Sequence, residues 1–128
     1  MGGDEERSTE AREGSRGTRL PLAERVVIDP RKLKDYLLSP DHQVGGPKAA
    51  FFAKLGFSRS NWRRLEIKLR RLAREVDAEL GERTPFGQKY VVRGMITGLT
   101  GRRAEVIAVW IVEETGEAPR LVTVYPGG

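Results

Sequence analysis

Residues 88–113 read QKYVVRGMITGLTGRRAEVIAVWIVE, and the fold turns on this stretch. Two apolar, β-branched runs flank Thr97-Gly98-Leu99-Thr100-Gly101. Val, Ile, Tyr and Trp suit a pleated surface, and a short glycine-bearing connection lets the chain double back. The stretch predicts two antiparallel strands, over about 88–97 and 102–113. In the second, Ala104, Val106, Ala108, Trp110 and Val112 alternate with Ile107, Val109 and Ile111. Apolar residues on both sides mark a central strand buried on both faces. Thr115-Gly116-Glu117-Ala118-Pro119 turns the chain again, and a third strand is expected over 120–125.

Upstream the period changes from two to 3.6. Asp29-Pro30 is a helix start, an N-cap followed by a proline whose missing N–H costs nothing there. Leu33, Tyr36, Leu37 and Leu38 follow at helical spacing, and Ser39-Pro40 stops the run, giving a helix over about 30–38. Pro47 opens a second helix, about 47–55, with Gly56 as its C-terminal cap. Ser58 or Ser60 caps a third and longest one, about 59–80, where Trp62, Leu65, Leu69, Leu72, Ala73, Val76 and Leu80 share a face. Ahead of them, Val26-Val27-Ile28 reads as an edge strand or an extended lead-in. Helices first, then a meander, is an α+β layout with a three- to four-stranded antiparallel sheet.

The chain has 128 residues, 38% of them apolar, enough for one domain with a modest core. Residues 1–19 are charged, Gly- and Ser-bearing and nearly free of apolar side chains. Such a segment cannot offset its ordering entropy, so a disordered tail is expected before a single domain over 20–126. No apolar run reaches the roughly 18 residues of a membrane span, and residues 1–6 lack the pattern of a signal peptide. The expectation is a soluble, cytoplasmic protein without a membrane partner. Zero cysteines and one histidine exclude disulfides, thiol catalysis and a Cys-based zinc site. No cofactor and no metal are expected.

The formal charge is +5, and 17 of the 23 basic residues are arginine. Arginine grips phosphate with two parallel donors, so RNA is a candidate partner. Arg63, Arg64, Arg70, Arg71 and Arg74 fan over the polar side of the third helix and are the candidate RNA-binding set. The plain reading is a solvated face laced with Glu66, Glu75 and Asp77.

No P-loop, dinucleotide-binding glycine pattern or nucleophile elbow is present. What the chain does offer is a set of basic and hydroxyl groups at two places. His42 and Lys48 flank the start of the second helix, in SPDHQVGGPKAAFF, residues 39–52. Thr123 and Tyr125 share one side of the last strand by alternation, while Arg120 falls with Val122 and Val124 and reaches around from the strand's edge. RNA cleavage without metal needs such groups: a proton acceptor and donor, and fixed cations to hold the phosphorane charge. Each also has an ordinary reading, His42 as a loop histidine and Thr123 and Tyr125 as strand residues.

Several strings then stand together in order. They are Lys32-Leu33 to Tyr36-Leu37-Leu38, His42, Gly45, Lys48-Ala49, Phe52, Leu55-Gly56-Phe57, Phe86-Gly87-Gln88-Lys89-Tyr90, Gly101-Arg102, Ala108-Val109-Trp110, and Pro119 through Pro126. Over roughly 20–126 the chain resembles an uncharacterised bacterial domain family. Its members occur alone and as C-terminal modules of polymorphic, contact-dependent toxins. Gln43 stands where the family usually has proline, and Val124 where it often has alanine. The resemblance implies a toxin-type ribonuclease with a fold similar to the barnase–EndoU–colicin–RelE group, and an antitoxin or immunity protein as partner. It points to His42, Lys48, Arg120, Thr123 and Tyr125 as catalytic. The alternative reading is a non-catalytic RNA- or protein-binding module using the basic face of the third helix.

Overall fold

The computed structural model describes residues 19–43 and 46–127. The tail expected over 1–19 falls outside them except for Arg19, and so do Val44 and Gly45.

The first helix, α1, combines a short α turn, Pro30–Lys32, with a wider π-type turn, Leu33–Leu37. Asp29 caps it as expected: its Oδ1 accepts from the Arg31 backbone N–H at 2.9 Å. The Arg31 guanidinium closes on the same carboxyl at 2.9 Å and, with that backbone bond, holds its pKa down at about 2. The second helix, α2, is Gly46–Lys54, and Gly56 ends it in the left-handed region at φ 92°. The third, α3, is Trp62–Glu75, preceded by a 3-10 turn, Arg59–Asn61.

The long helix expected over 59–80 therefore stops five residues early. Val76 is already extended, and residues Ala78–Thr84 form a strand, β1. Ala78, not Leu80, takes the buried place, and Leu80 is 57% exposed. The physical reason is the neighbouring strand, whose backbone groups on that edge would otherwise lack partners. Helical spacing of Val76 and Leu80 loses to that pairing. The remaining strands match expectation: β2 Gly87–Thr97, β3 Arg103–Glu113 and β4 Arg120–Pro126.

The sheet runs β1-β2-β3-β4, antiparallel throughout. Val106, Ala108 and Trp110 of β3, Val92 of β2 and Val124 of β4 face the helices. With Leu33, Leu37, Phe52, Leu55, Leu65, Leu69 and Leu72 they form one core. The opposite face carries Ile107, which is buried, and Val109 and Ile111, which are half-buried. Burial on both faces of β3 is thus complete only on the helix side. Two ties fix the helices, one to the sheet's β2–β3 turn and one to the extended lead-in. Leu99 in the β2–β3 turn donates its N–H to the Leu55 carbonyl at 2.7 Å. Arg70 on α3 donates to the Val26 carbonyl at 2.7 Å while its other nitrogens hold Glu66 at 2.8 and 3.0 Å.

The extended lead-in also forms. Val27 bridges Arg120 in parallel, donating to the Pro119 carbonyl at 2.8 Å and accepting from Leu121 at 3.0 Å. It covers the start of the outer edge of β4. Farther along, α2 reaches β4 through Lys48 and Thr123.

Candidate functional site

Lys48 is the third residue of α2, where a cation sits against the helix dipole at a cost of about 0.3–1 kcal/mol. Its ammonium compensates with specific partners. Nζ donates to the Thr123 hydroxyl of β4 at 2.9 Å and to the Tyr36 hydroxyl of α1 at 3.0 Å. The same nitrogen lies 6.0 Å from the centre of the Tyr125 ring. Three segments far apart in sequence therefore meet on one charge.

Tyr36 extends the cluster. The His42 ring stands edge-on to it, with centroids 5.0 Å apart and planes at 88°. Lys32 Nζ lies 5.7 Å from its ring centre. The hydrogen bond from Lys48 lowers the Tyr36 pKa, as does the Thr123 hydroxyl, while partial burial opposes them. Tyr36 also lines an open hollow of about 440 Å³ with Asp29, Arg31, Lys32 and Asp35. Its side chain is thus within reach of a solute.

The turn holding His42 is well bonded. Its N–H donates to the Ser39 carbonyl at 3.3 Å, and its carbonyl accepts from Gly46 at 2.7 Å. His42 is consequently both bonded between the two helices and a member of the cluster through Tyr36.

Arg120 needs a correction. Strict alternation puts it with Val122 and Val124, but the β3–β4 register shifts between Val109 and Trp110. Val109 pairs with Thr123 and Ile107 with Tyr125, whereas Ile111 pairs with Arg120 and Trp110 with Leu121. Val122 is the extra residue of a bulge. Cross-strand partners point the same way, so Arg120, Thr123 and Tyr125 all belong to the face of Ile107, Val109 and Ile111. Leu121 and Val124 go to the core. Arg120 itself lies at the Asp29 end of β4, where its charge helps lower the Asp29 pKa.

Of the five arginines singled out on the third helix, Arg70 is committed internally to Glu66 and Val26. Arg63 stacks over Trp62 at 4.7 Å, and Arg64, Arg71 and Arg74 are exposed. Trp62 itself packs against the core. Tyr36 is the residue that the sequence did not single out. Its helical spacing placed it among the core residues, and only its place in the ordered strings around His42 and Lys48 hinted at more. Among the described residues, no group of three or more Asp, Glu or His side chains is placed to hold a metal ion. No helix there is long and apolar enough to cross a membrane.

A family model described as a domain of unknown function (DUF6883) matches residues 19–128. Among solved structures, the chain is similar to one from a contact-dependent growth inhibition toxin–immunity protein complex of Klebsiella pneumoniae 342. The TM-score is 0.64 at 17% identity, covering 80% of this chain and 93% of that one. At that identity the likeness is one of fold. No curated protein matches the chain.

Proposed function

The chain belongs to the DUF6883 family of domains of unknown function, and on that premise we propose that it is a toxin-type endoribonuclease that cleaves RNA by attack of the 2′-hydroxyl, without a metal. The observation that carries this reading is the convergence of Tyr36, Thr123 and Tyr125 on the Lys48 ammonium, with His42 against Tyr36.

An ammonium has three donors, and two of these are engaged among the described residues. A third serves a phosphate oxygen. As the phosphorane forms, its added charge meets the Lys48 ammonium, with the hydroxyls of Thr123 and Tyr125 as further donors. Arg120, on the same face of β4, holds the neighbouring phosphate. His42 moves a proton, since an imidazole nitrogen can both accept one and give it up. The complex from which the similar solved fold comes pairs a toxin with an immunity protein. A neutralising protein partner for this chain is part of the same proposal.

Purified protein incubated with total RNA in excess EDTA tests the reading. Cleavage by the wild type, lost in Lys48→Met and His42→Ala, is the expected outcome. Salt-dependent RNA binding with no cleavage would replace it with a binding module acting through Arg63, Arg64, Arg71 and Arg74.

A further inference from the structure

Resting on the ribonuclease reading, we propose that Tyr36 is the general acid of the site, protonating the leaving 5′-oxygen while His42 acts as the base. The hydrogen bonds of Tyr36 have a direction. Lys48 Nζ donates to Tyr36 Oη at 3.0 Å, so the tyrosine oxygen is an acceptor in that bond and keeps its own proton to give. Thr123, which accepts from the same ammonium at 2.9 Å, acts on the same oxygen. Loss of the Tyr36 proton leaves a phenolate against an ammonium and a hydroxyl, which is the arrangement that favours it. Tyr36 is therefore a phenol that yields its proton more readily than an ordinary tyrosine.

The other candidates fit less well. Thr123 is an aliphatic alcohol, no stronger an acid than the leaving group. Lys48 must stay charged to hold the phosphorane. Tyr125 lies 6.0 Å from Lys48 by its ring centre and has no hydrogen bond of the Tyr36 kind to the ammonium among the described residues. The hollow beside Tyr36, lined by Arg31 and Lys32 as well as Asp29 and Asp35, gives the departing strand room beside the phenol.

The step balances. A nitrogen of His42 takes the 2′-hydroxyl proton, and the 2′-oxygen forms its bond to phosphorus. The bond from phosphorus to the 5′-oxygen breaks, and the Tyr36 proton moves to that oxygen. The products are a 2′,3′-cyclic phosphate and a 5′-hydroxyl. What remains is an imidazolium beside a phenolate, with rings 5.0 Å apart. One proton passed from His42 to Tyr36, directly or through water, restores both groups for the next turnover.

The test uses an RNA substrate carrying sulfur in place of the bridging 5′-oxygen at the linkage that the wild type cuts. A thiolate leaves without protonation. Tyr36→Phe should slow cleavage of ordinary RNA by about 10²–10⁴-fold, yet cleave the sulfur-bridged RNA at close to the wild-type rate. His42→Ala should slow both. Equal slowing of both substrates by Tyr36→Phe, or slowing of neither, overturns the assignment and leaves the ribonuclease reading in place. The sulfur substrate doubles as the folding control. A wild type that cleaves neither RNA overturns the ribonuclease reading and the assignment with it.

Discussion

Lys48 shows how much one ammonium organises. It sits where the helix dipole disfavours it, and its three partners come from α1 and β4 rather than from its own helix. The consequence for Tyr36 is measurable without any substrate. Its phenol should ionise below the ordinary tyrosine value, and Lys48→Met should move that ionisation back upward. Ultraviolet titration of the phenolate, with Tyr36→Phe as the blank, reads it. An unchanged titration in Lys48→Met would mean that Lys48 does not act on that oxygen. The sign carries into activity. An acid must hold its proton to work, so cleavage should decline as the pH rises through the lowered Tyr36 value. His42, Lys48, Thr123 and Tyr125 were candidates in the sequence, although Thr123 and Tyr125 also read there as ordinary strand residues. Tyr36 was hidden by its own spacing. A tyrosine on the apolar side of a helix shows its ring to the core, and nothing in the sequence says where its hydroxyl ends.

Among the elements, α3 is the one whose two faces divide cleanly. Leu65, Leu69, Leu72 and Ala73 enter the core, and the basic side faces outward except at Arg70. Arg70 instead spans to Glu66 and to the lead-in at Val26, so it acts as a strap between helix and chain start. Arg70→Ala should cost about 1.5–3 kcal/mol, the range for hydrogen bonds to charged groups, because it also leaves the Val26 carbonyl without that donor. Arg71→Ala should stay within about 0.5 kcal/mol, as exposed substitutions do. Urea unfolding of the two variants makes the comparison, and equal midpoints would refute the strap. The same helix shows where local pattern stops being informative. Val76 and Leu80 continue the helical period, yet β2 needs a neighbour on its free edge, and that demand is set by strands read later in the chain. The bulge at Val122 is a second case. Alternation alone assigns Arg120 to the core side, and only the β3 partners reveal that one residue is skipped.

At the scale of the whole molecule, one apolar cluster joins all three helices to β2, β3 and β4. Trp110 is at its centre and fully buried, whereas Trp62 packs at its margin. A single core of this kind should melt as one unit. Tryptophan fluorescence and far-ultraviolet circular dichroism are expected to give the same denaturant midpoint, and two separated transitions would show that the helices and sheet are independent. The fold class was legible because periods of 3.6 and 2 occupy separate halves of the chain. The site was legible only in parts, since its members are brought together by sheet register and not by sequence distance. Lys48 and Thr123 are 75 positions apart. A ribosome therefore releases α1 and α2 long before it has made β4. Until β4 emerges and docks, Lys48 has no threonine to hold and the Tyr36 oxygen lacks one of its two donors. The cluster is chemically incomplete until its last strand is in place.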